Sequence, residues 1–246
     1  MKLPAKLLTV ALIVVPAVPA IAMAREATTT TAPVLVARYS FDAGAPGGRV
    51  ADLSGRGAPL AVRSFQGGTI RFFGAGTGRY IGLPARCAPG ARVCPRALLE
   101  GTDDPDLDPG TRTFRWGATV NISRAQLAGS SNLMQKGVAT TESQWKMQVG
   151  ETHGKAQCVA VGRGSSKAYL VRSTNPVADG RWHKVLCVRS GSALSVYVDG
   201  TLRGRTTIPV TLNILNDKPL RIGGPNFNTS SDMYHGYLDD VFAQLG

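Results

Sequence analysis

Asp179-Gly-Arg-Trp-His-Lys-Val-Leu-Cys-Val-Arg189, followed shortly by Leu194-Ser-Val-Tyr-Val-Asp-Gly200, is the stretch on which the fold turns. Residues 182–188 are aromatic, β-branched and apolar, and Asp179-Gly180 and Ser190-Gly191-Ser192 bound them, so they read as a strand. Val185, Leu186 and Val188 place apolar groups on both of its faces, as a central strand demands. Leu194, Val196 and Val198 then alternate onto one face of a second strand. Asp199-Gly200 supplies a two-residue hairpin turn, because a type I′ turn needs positive φ at both central positions. Residues 202–205 form the return strand.

The same pattern continues on either side. Short runs rich in β-branched and aromatic residues at 34–41, 60–62, 69–73, 79–81, 113–122, 133–136, 144–149, 156–161, 168–172, 220–222 and 237–242 are bounded by glycine, proline or other turn residues. About a dozen strands with frequent turns and no heptad or repeat imply an all-β antiparallel sandwich. Residues 84–110 interrupt the rhythm and read as a long clasped loop, with a helical turn at 95–100 and a solvated acidic run at 103–108.

The N-terminus carries export grammar. Lys2 and Lys6 precede an apolar run at 7–18, and Ala22-Met23-Ala24 is a small-x-small cleavage site. The expected organisation is a signal peptide at 1–24, a polar flexible arm at 25–32 and one domain at 33–246. No membrane span is expected after cleavage, and the mature protein is expected to be secreted. The formal net charge is +12, and arginine dominates it. Such an excess attracts anionic partners. The basic residues are scattered, with no run of five, which favours a soluble surface over specific nucleic-acid binding. Cys87, Cys94, Cys158 and Cys187 are an even set in an exported chain, and their spacing favours a local Cys87–Cys94 clasp and a longer Cys158–Cys187 bridge between neighbouring strands.

The opening stretch resembles the laminin G-like pattern, in which a D-G-x-W-H-x-V strand leads into an L-x-V-Y-V-D-G hairpin. Gly236-Tyr-Leu-Asp-Asp-Val-Phe242 is similar to its closing strand, and Tyr39-Ser-Phe-Asp42 with Asp52-Leu-Ser-Gly55 to its first strand and turn. The resemblance implies a jelly roll of the concanavalin A-like lectin and glucanase superfamily. It also implies a structural calcium, with Asp239 and Asp52 as the matching carboxylates and backbone carbonyls near 41–44 and Gly55 completing six to eight oxygens.

Catalytic patterns are not found. The four glutamates Glu26, Glu100, Glu142 and Glu151 lie outside any E-x-D-x-[VIM]-E strand, and there is no Q-[IV]-H tripeptide and no G-x-S-x-G elbow. The loop at 223–236 offers Asn226, Phe227, Asp232 and Tyr234 as ligand contacts, and Trp145 and Tyr169 are candidates to line a concave sheet. The expected function is a non-catalytic binding module for an extracellular glycan or anionic cell-surface polymer. A protein-binding adhesion domain and an undetected hydrolase or lyase are the alternatives.

Overall fold

Turn residues cut this chain into strands too short to stand alone, so each must pair to survive. The structure, a computed structural model, describes residues 32–140, 143–150, 152–228 and 232–246. They belong to one unit, Ala32–Gly246. The expected signal peptide, and the arm apart from Ala32, lie outside the described residues. The strands are β1 (Val34–Tyr39), β2 (Arg49–Val50), β3 (Leu60–Phe65), β4 (Arg71–Phe73), β5 (Tyr80–Gly82), β6 (Arg96–Glu100), β7 (Phe114–Ser123) and β8 (Ser130–Gly137). They continue as β9 (Gln144–Gly150), β10 (Lys155–Val161), β11 (Ala168–Pro176), β12 (Asp179–Ser190), β13 (Ala193–Val198), β14 (Thr201–Thr207), β15 (Leu220–Ile222) and β16 (Tyr237–Leu245).

Sheet A runs β14-β13-β12-β7-β16-β5-β4, with β1 also on β16, and sheet B runs β11-β10-β9-β8-β15-β6-β3-β2. Every pairing is antiparallel. Their inner faces share one core, in which Phe114, Trp116 and Trp145 pack ring on ring. This is an antiparallel jelly-roll sandwich. β12 is central, between β7 and β13, and Asp199 and Gly200 adopt φ of 52° and 76°, the type I′ signature.

Residues 95–100 differ from expectation. Arg96–Glu100 is strand β6, paired with β3 and β15, with Ala97 and Leu99 fully buried. Leucine and alanine favour helix, but so short a helix is marginal, and pairing on both edges overrides the preference. The acidic run is not simply solvated either. Lys136, fully buried, bonds the carboxylates of Asp103 and Asp108, each at 2.8 Å. Asp106 pairs with Arg56 at 2.8 Å, and Asp104 caps the short turn at Pro105–Leu107.

Both expected disulfides are present. The longer one departs from expectation in its setting, because Cys158 lies on β10 of sheet B and Cys187 on β12 of sheet A, so the bridge crosses between the layers. On the same strand His183 sits between two carboxylates, Asp199 at 2.8 Å and Asp179 at 3.1 Å.

The loop closed by Cys158–Cys187 is the longer, with a sequence separation of 29 against 7 for Cys87–Cys94. Replacing both cysteines of the long bridge by alanine should lower the unfolding free energy by about 3–4 kcal/mol, and replacing the short pair by about 2–3 kcal/mol. Urea titration checks the order, and an unchanged midpoint without the inter-sheet bridge would contradict it. Burial works against the charged form of His183, but the bonds to Asp199 and Asp179 outweigh it and raise its pKa above 6.5. A raised histidine contributes stability that is complete below its unfolded pKa and is lost as pH climbs through the folded one. The destabilisation caused by His183→Ala should therefore be larger at pH 5 than at pH 9 in thermal melts.

Candidate functional site

Strand alternation gives sheet B two unlike faces. Trp145, Met147 and Val149 of β9 and Ala156, Cys158 and Ala160 of β10 point into the core. The residues between them point the other way. Register sets Asn132 opposite Gln148, Gln148 opposite Gln157, and Gln157 opposite Arg172, so these four side chains cross the outer face in one row. Gln135 and Lys146 are paired in a neighbouring row.

The carboxamides knit this face together. Asn132 Nδ2 donates to Gln135 Oε1 at 2.8 Å, and Gln148 Nε2 to Gln157 Oε1 at 2.6 Å. Gly150 leaves room for this, since a Cβ there would lie 2.2 Å from Gln157 Nε2. Asn132 and Gln148 are only 1% and 4% exposed although they face away from the core. Among the described residues, Asn132 Oδ1 and Gln148 Oε1 have no donor. A buried acceptor left unpaired costs about 1–3 kcal/mol. A cavity of about 640 Å³ is lined by Ser130, Gln148, Gln157 and Arg172, and by His153 and Lys155. Burial holds the Lys146 ammonium below its usual range, against the opposing charge of Asp232.

The loop residues expected to touch ligand are divided. Asp232, at φ 68°, accepts from Ser130 N at 2.9 Å, and its carbonyl accepts from Asn132 N, so it fixes the turn that leads into β8. Phe227 stacks on Phe65 at 5.7 Å, and its carbonyl accepts from Arg96 Nη1 at 2.8 Å. Asn226 Oδ1 accepts from Asn228 N and shapes the loop. Tyr234 requires a correction: it is fully buried, its hydroxyl lies by the carbonyls of Asn121 and Tyr237, and burial pushes its pKa well above 10. It is a core residue. Trp145 is likewise core, with its indole N–H donating to Leu107 O at 2.9 Å, and Tyr169 is half-buried against the core. The carboxamide row itself was missed. Its signal is the alternation of Gln144, Lys146 and Gln148 with Trp145, Met147 and Val149, which marks an outer face studded with polar groups.

The carboxylates considered for calcium also differ in setting. Both oxygens of Asp52 are committed to its own turn, accepting from Arg38 N, Ser54 N, Ser54 Oγ and Gly57 N. Among the described residues Asp239 accepts only from Asp240 N, and its pKa is raised by burial and by the charges of Asp240 and Asp42. Asp42 accepts from Arg79 N. No group of three or more His, Cys, Asp or Glu side chains suited to a metal gathers among the described residues. An ion at Asp239 and Asp42 would thus fit only with backbone carbonyls as further ligands. Glu100, the one described glutamate, is bonded to Arg221 at 2.8 Å and lies 3.5 Å from Arg63.

No curated protein sequence matches the chain significantly. Domain 4 of AbnA, a GH43 extracellular arabinanase from Geobacillus stearothermophilus in complex with arabinotriose, superposes with a TM-score of 0.65 at 16% identity, covering 88% of this chain and 94% of that one. The binding domain of botulinum neurotoxin serotype C1 superposes at 0.61 and 10% identity, covering 85% of this chain and 48% of that one. The binding domain of botulinum neurotoxin DC in complex with SialylT gives 0.59 and 9%, covering 85% and 47%. The chain spans about half the length of these toxin domains. At such identities the likeness is one of fold. A laminin G model described as the concanavalin A-like lectin/glucanases superfamily matches residues 106–243, more than half of the chain, and it is to this family that the protein belongs.

Proposed function

We propose that this protein is a secreted, non-catalytic module that binds a carbohydrate on the outer face of sheet B, over Asn132, Gln148, Gln157 and Arg172. The observation that carries the reading is the row of Gln148, Gln157 and Arg172 lining a cavity of about 640 Å³. Carboxamides offer acceptors and donors side by side, which is what neighbouring sugar hydroxyls require. The cavity falls within the roughly 300–1,000 Å³ usual for small-ligand sites. Two structural neighbours are held in complex with arabinotriose and SialylT, which supports sugar over a purely protein partner. Two disulfides accord with an oxidising, extracellular setting. No helix among the described residues is long and apolar enough to cross a membrane. Glu100, the one described glutamate, is tied to Arg221 and Arg63.

A glycan array should return specific ligands. For the best of them, Gln157→Ala and Arg172→Ala should each weaken binding about tenfold by calorimetry, the loss of one hydrogen bond to a buried or charged partner. β-Glucans, alginate and galactans should yield no new reducing ends and no unsaturated products. Full sugar affinity in both variants would move the site elsewhere, and cleavage of any polymer would make the protein an enzyme.

The reading extends to calcium at Asp239 and Asp42, where an ion would join the first and last segments of the fold. A ligand bound only by the folded state at a hundredfold excess over Kd adds about 2.7 kcal/mol. For a domain of this size, chelation should lower the melting temperature by roughly 5–10 °C, and added calcium should restore it. Asp239→Ala should abolish the response and Asp104→Ala should keep it. A wild-type melting curve indifferent to chelator excludes the ion.

A further inference from the structure

Sheet A has an outer face that the carboxamide row does not use. Phe73 of β4, Tyr80 of β5, Tyr237 of β16 and Trp182 of β12 are the outward neighbours of Phe72, Ile81 and Leu238, which pack inward. The four rings lean on one another edge to face: Tyr80 on Trp182 at 5.1 Å, Phe73 on Tyr237 at 5.5 Å, and Tyr80 on Tyr237 at 5.6 Å. Gly82 lets them lie close to the sheet, because a Cβ there would come 2.7 Å from Phe73 and 3.1 Å from Tyr237. Trp182 remains 41% exposed. Aromatic surface left in water on one sheet face is unfavourable unless something covers it.

Polar groups meet these rings at their edge. A cavity of about 450 Å³ is lined by Phe73, Tyr237, Pro84, Arg71, Gln126 and His235. Register sets Arg71 opposite Gly82 and Gly82 opposite Tyr237, so the guanidinium shares the face of the rings. Arg71 is exposed and has no hydrogen bond or ion pair among the described residues. Gln126 is already spent on Ser123 N and His235 O. His235 lies 2.7 Å from Pro84 O through Nδ1, which must donate because a carbonyl can only accept. Burial and the charge of Arg86 lower its pKa despite that bond, so near neutral pH the ring offers Nε2 as an acceptor.

We propose that this face is a second ligand site, independent of the carboxamide row, which takes an acidic sugar: the apolar side of the ring on Phe73 and Tyr237, the carboxylate on Arg71, and a hydroxyl donated to His235. The planar guanidinium fork matches a carboxylate. Among the described residues no acidic side chain lines the cavity, and the net charge of +12 draws anions toward it. A proline-rich peptide, the other common guest of aromatic grooves, would cover the rings but leave the Arg71 guanidinium and His235 Nε2 unused.

Calorimetry with trigalacturonate and its methyl ester on the full chain tests this. The acid should bind about tenfold to a hundredfold more tightly than the ester, as expected for one charge-assisted bond. Arg71→Ala should level the two, Tyr237→Ala should weaken both, and Gln157→Ala on sheet B should change neither. Trp116 and Trp145 are fully buried, so iodide quenching reads Trp182, which the bound acid should shield. Equal binding of acid and ester, an affinity that Arg71→Ala leaves unaltered, or no binding at all would overturn the proposal. So would loss of binding in Gln157→Ala, which would assign the acid to sheet B, or shielding of Trp182 by a polyproline peptide and not by the acid.

Discussion

Cys158 and Cys187 come from opposite sheets, yet their Cα atoms are 5.7 Å apart, while stacked sheets usually face each other at about 10 Å. The layers therefore converge at this point, and everything around it must be shaped to allow that. In its own sheet Cys158 is flanked by Met147 and Val171, and Cys187 by Trp116 and Val196. The next position along that second row is Gly204 of β14. A Cβ there would fall 2.2 Å from the carbonyl of Arg172 on β11. Only glycine lets β14 come down onto β11, and any larger residue would lever the sheets apart against the bridge. The same contact fixes the backbone of Arg172, whose side chain ends the carboxamide row on the other face. The covalent link and the candidate site are thus two sides of one strand.

The two outer faces solve opposite problems. Sheet A leaves its rings half in water, and their mutual edge-to-face contacts recover part of the lost favourable burial. Sheet B buries carboxamides, and the bonds from Asn132 to Gln135 and from Gln148 to Gln157 satisfy most of that polarity but leave two acceptors bare. One face is short of apolar cover and the other short of donors. On the proposals made above, different ligand chemistries would meet those deficits, dispersion and charge on the first and hydrogen bonding on the second. A single ligand satisfying both would have to reach around the sandwich.

Much of the fold was legible because turn chemistry is local. Asp199-Gly200 announces positive φ at two adjacent positions, and only a tight hairpin uses that. The cysteine pairing was legible from spacing, but not its direction across the layers, because that depends on which strands share a sheet and sequence separation does not say. Residues 95–100 misled because Ala-Leu-Leu prefers helix in isolation, while pairing with β3 and β15 arises from segments far away in the chain. The candidate site was less legible still. Aromatics drew attention to Trp145 and Tyr234, which the core claims, whereas the outward position of Trp182 and the glutamine row follow only from register.

The acidic residues show how this chain supplies its own cations. Asp103 and Asp108 share the ammonium of buried Lys136, Asp106 has Arg56, Asp240 has Arg38, Glu100 has Arg221, and Asp179 and Asp199 share His183. Asp52 lacks a cation but is saturated by four donors from its turn. Asp42 and Asp239 have neither advantage. Each accepts a single backbone N–H, their charges repel, and the repulsion together with burial raises the pKa of Asp239. Arg38, whose charge acts against that rise, is engaged by Asp240. An ion bound as proposed above would bring positive charge to both carboxylates. In the run at 103–108, Lys136 bonds Asp103 and Asp108, yet burial and neighbouring carboxylates still raise the pKa of Asp104 and Asp108. Under the calcium proposal, local charge balance as well as the number of carboxylates bears on where an ion would be stabilising.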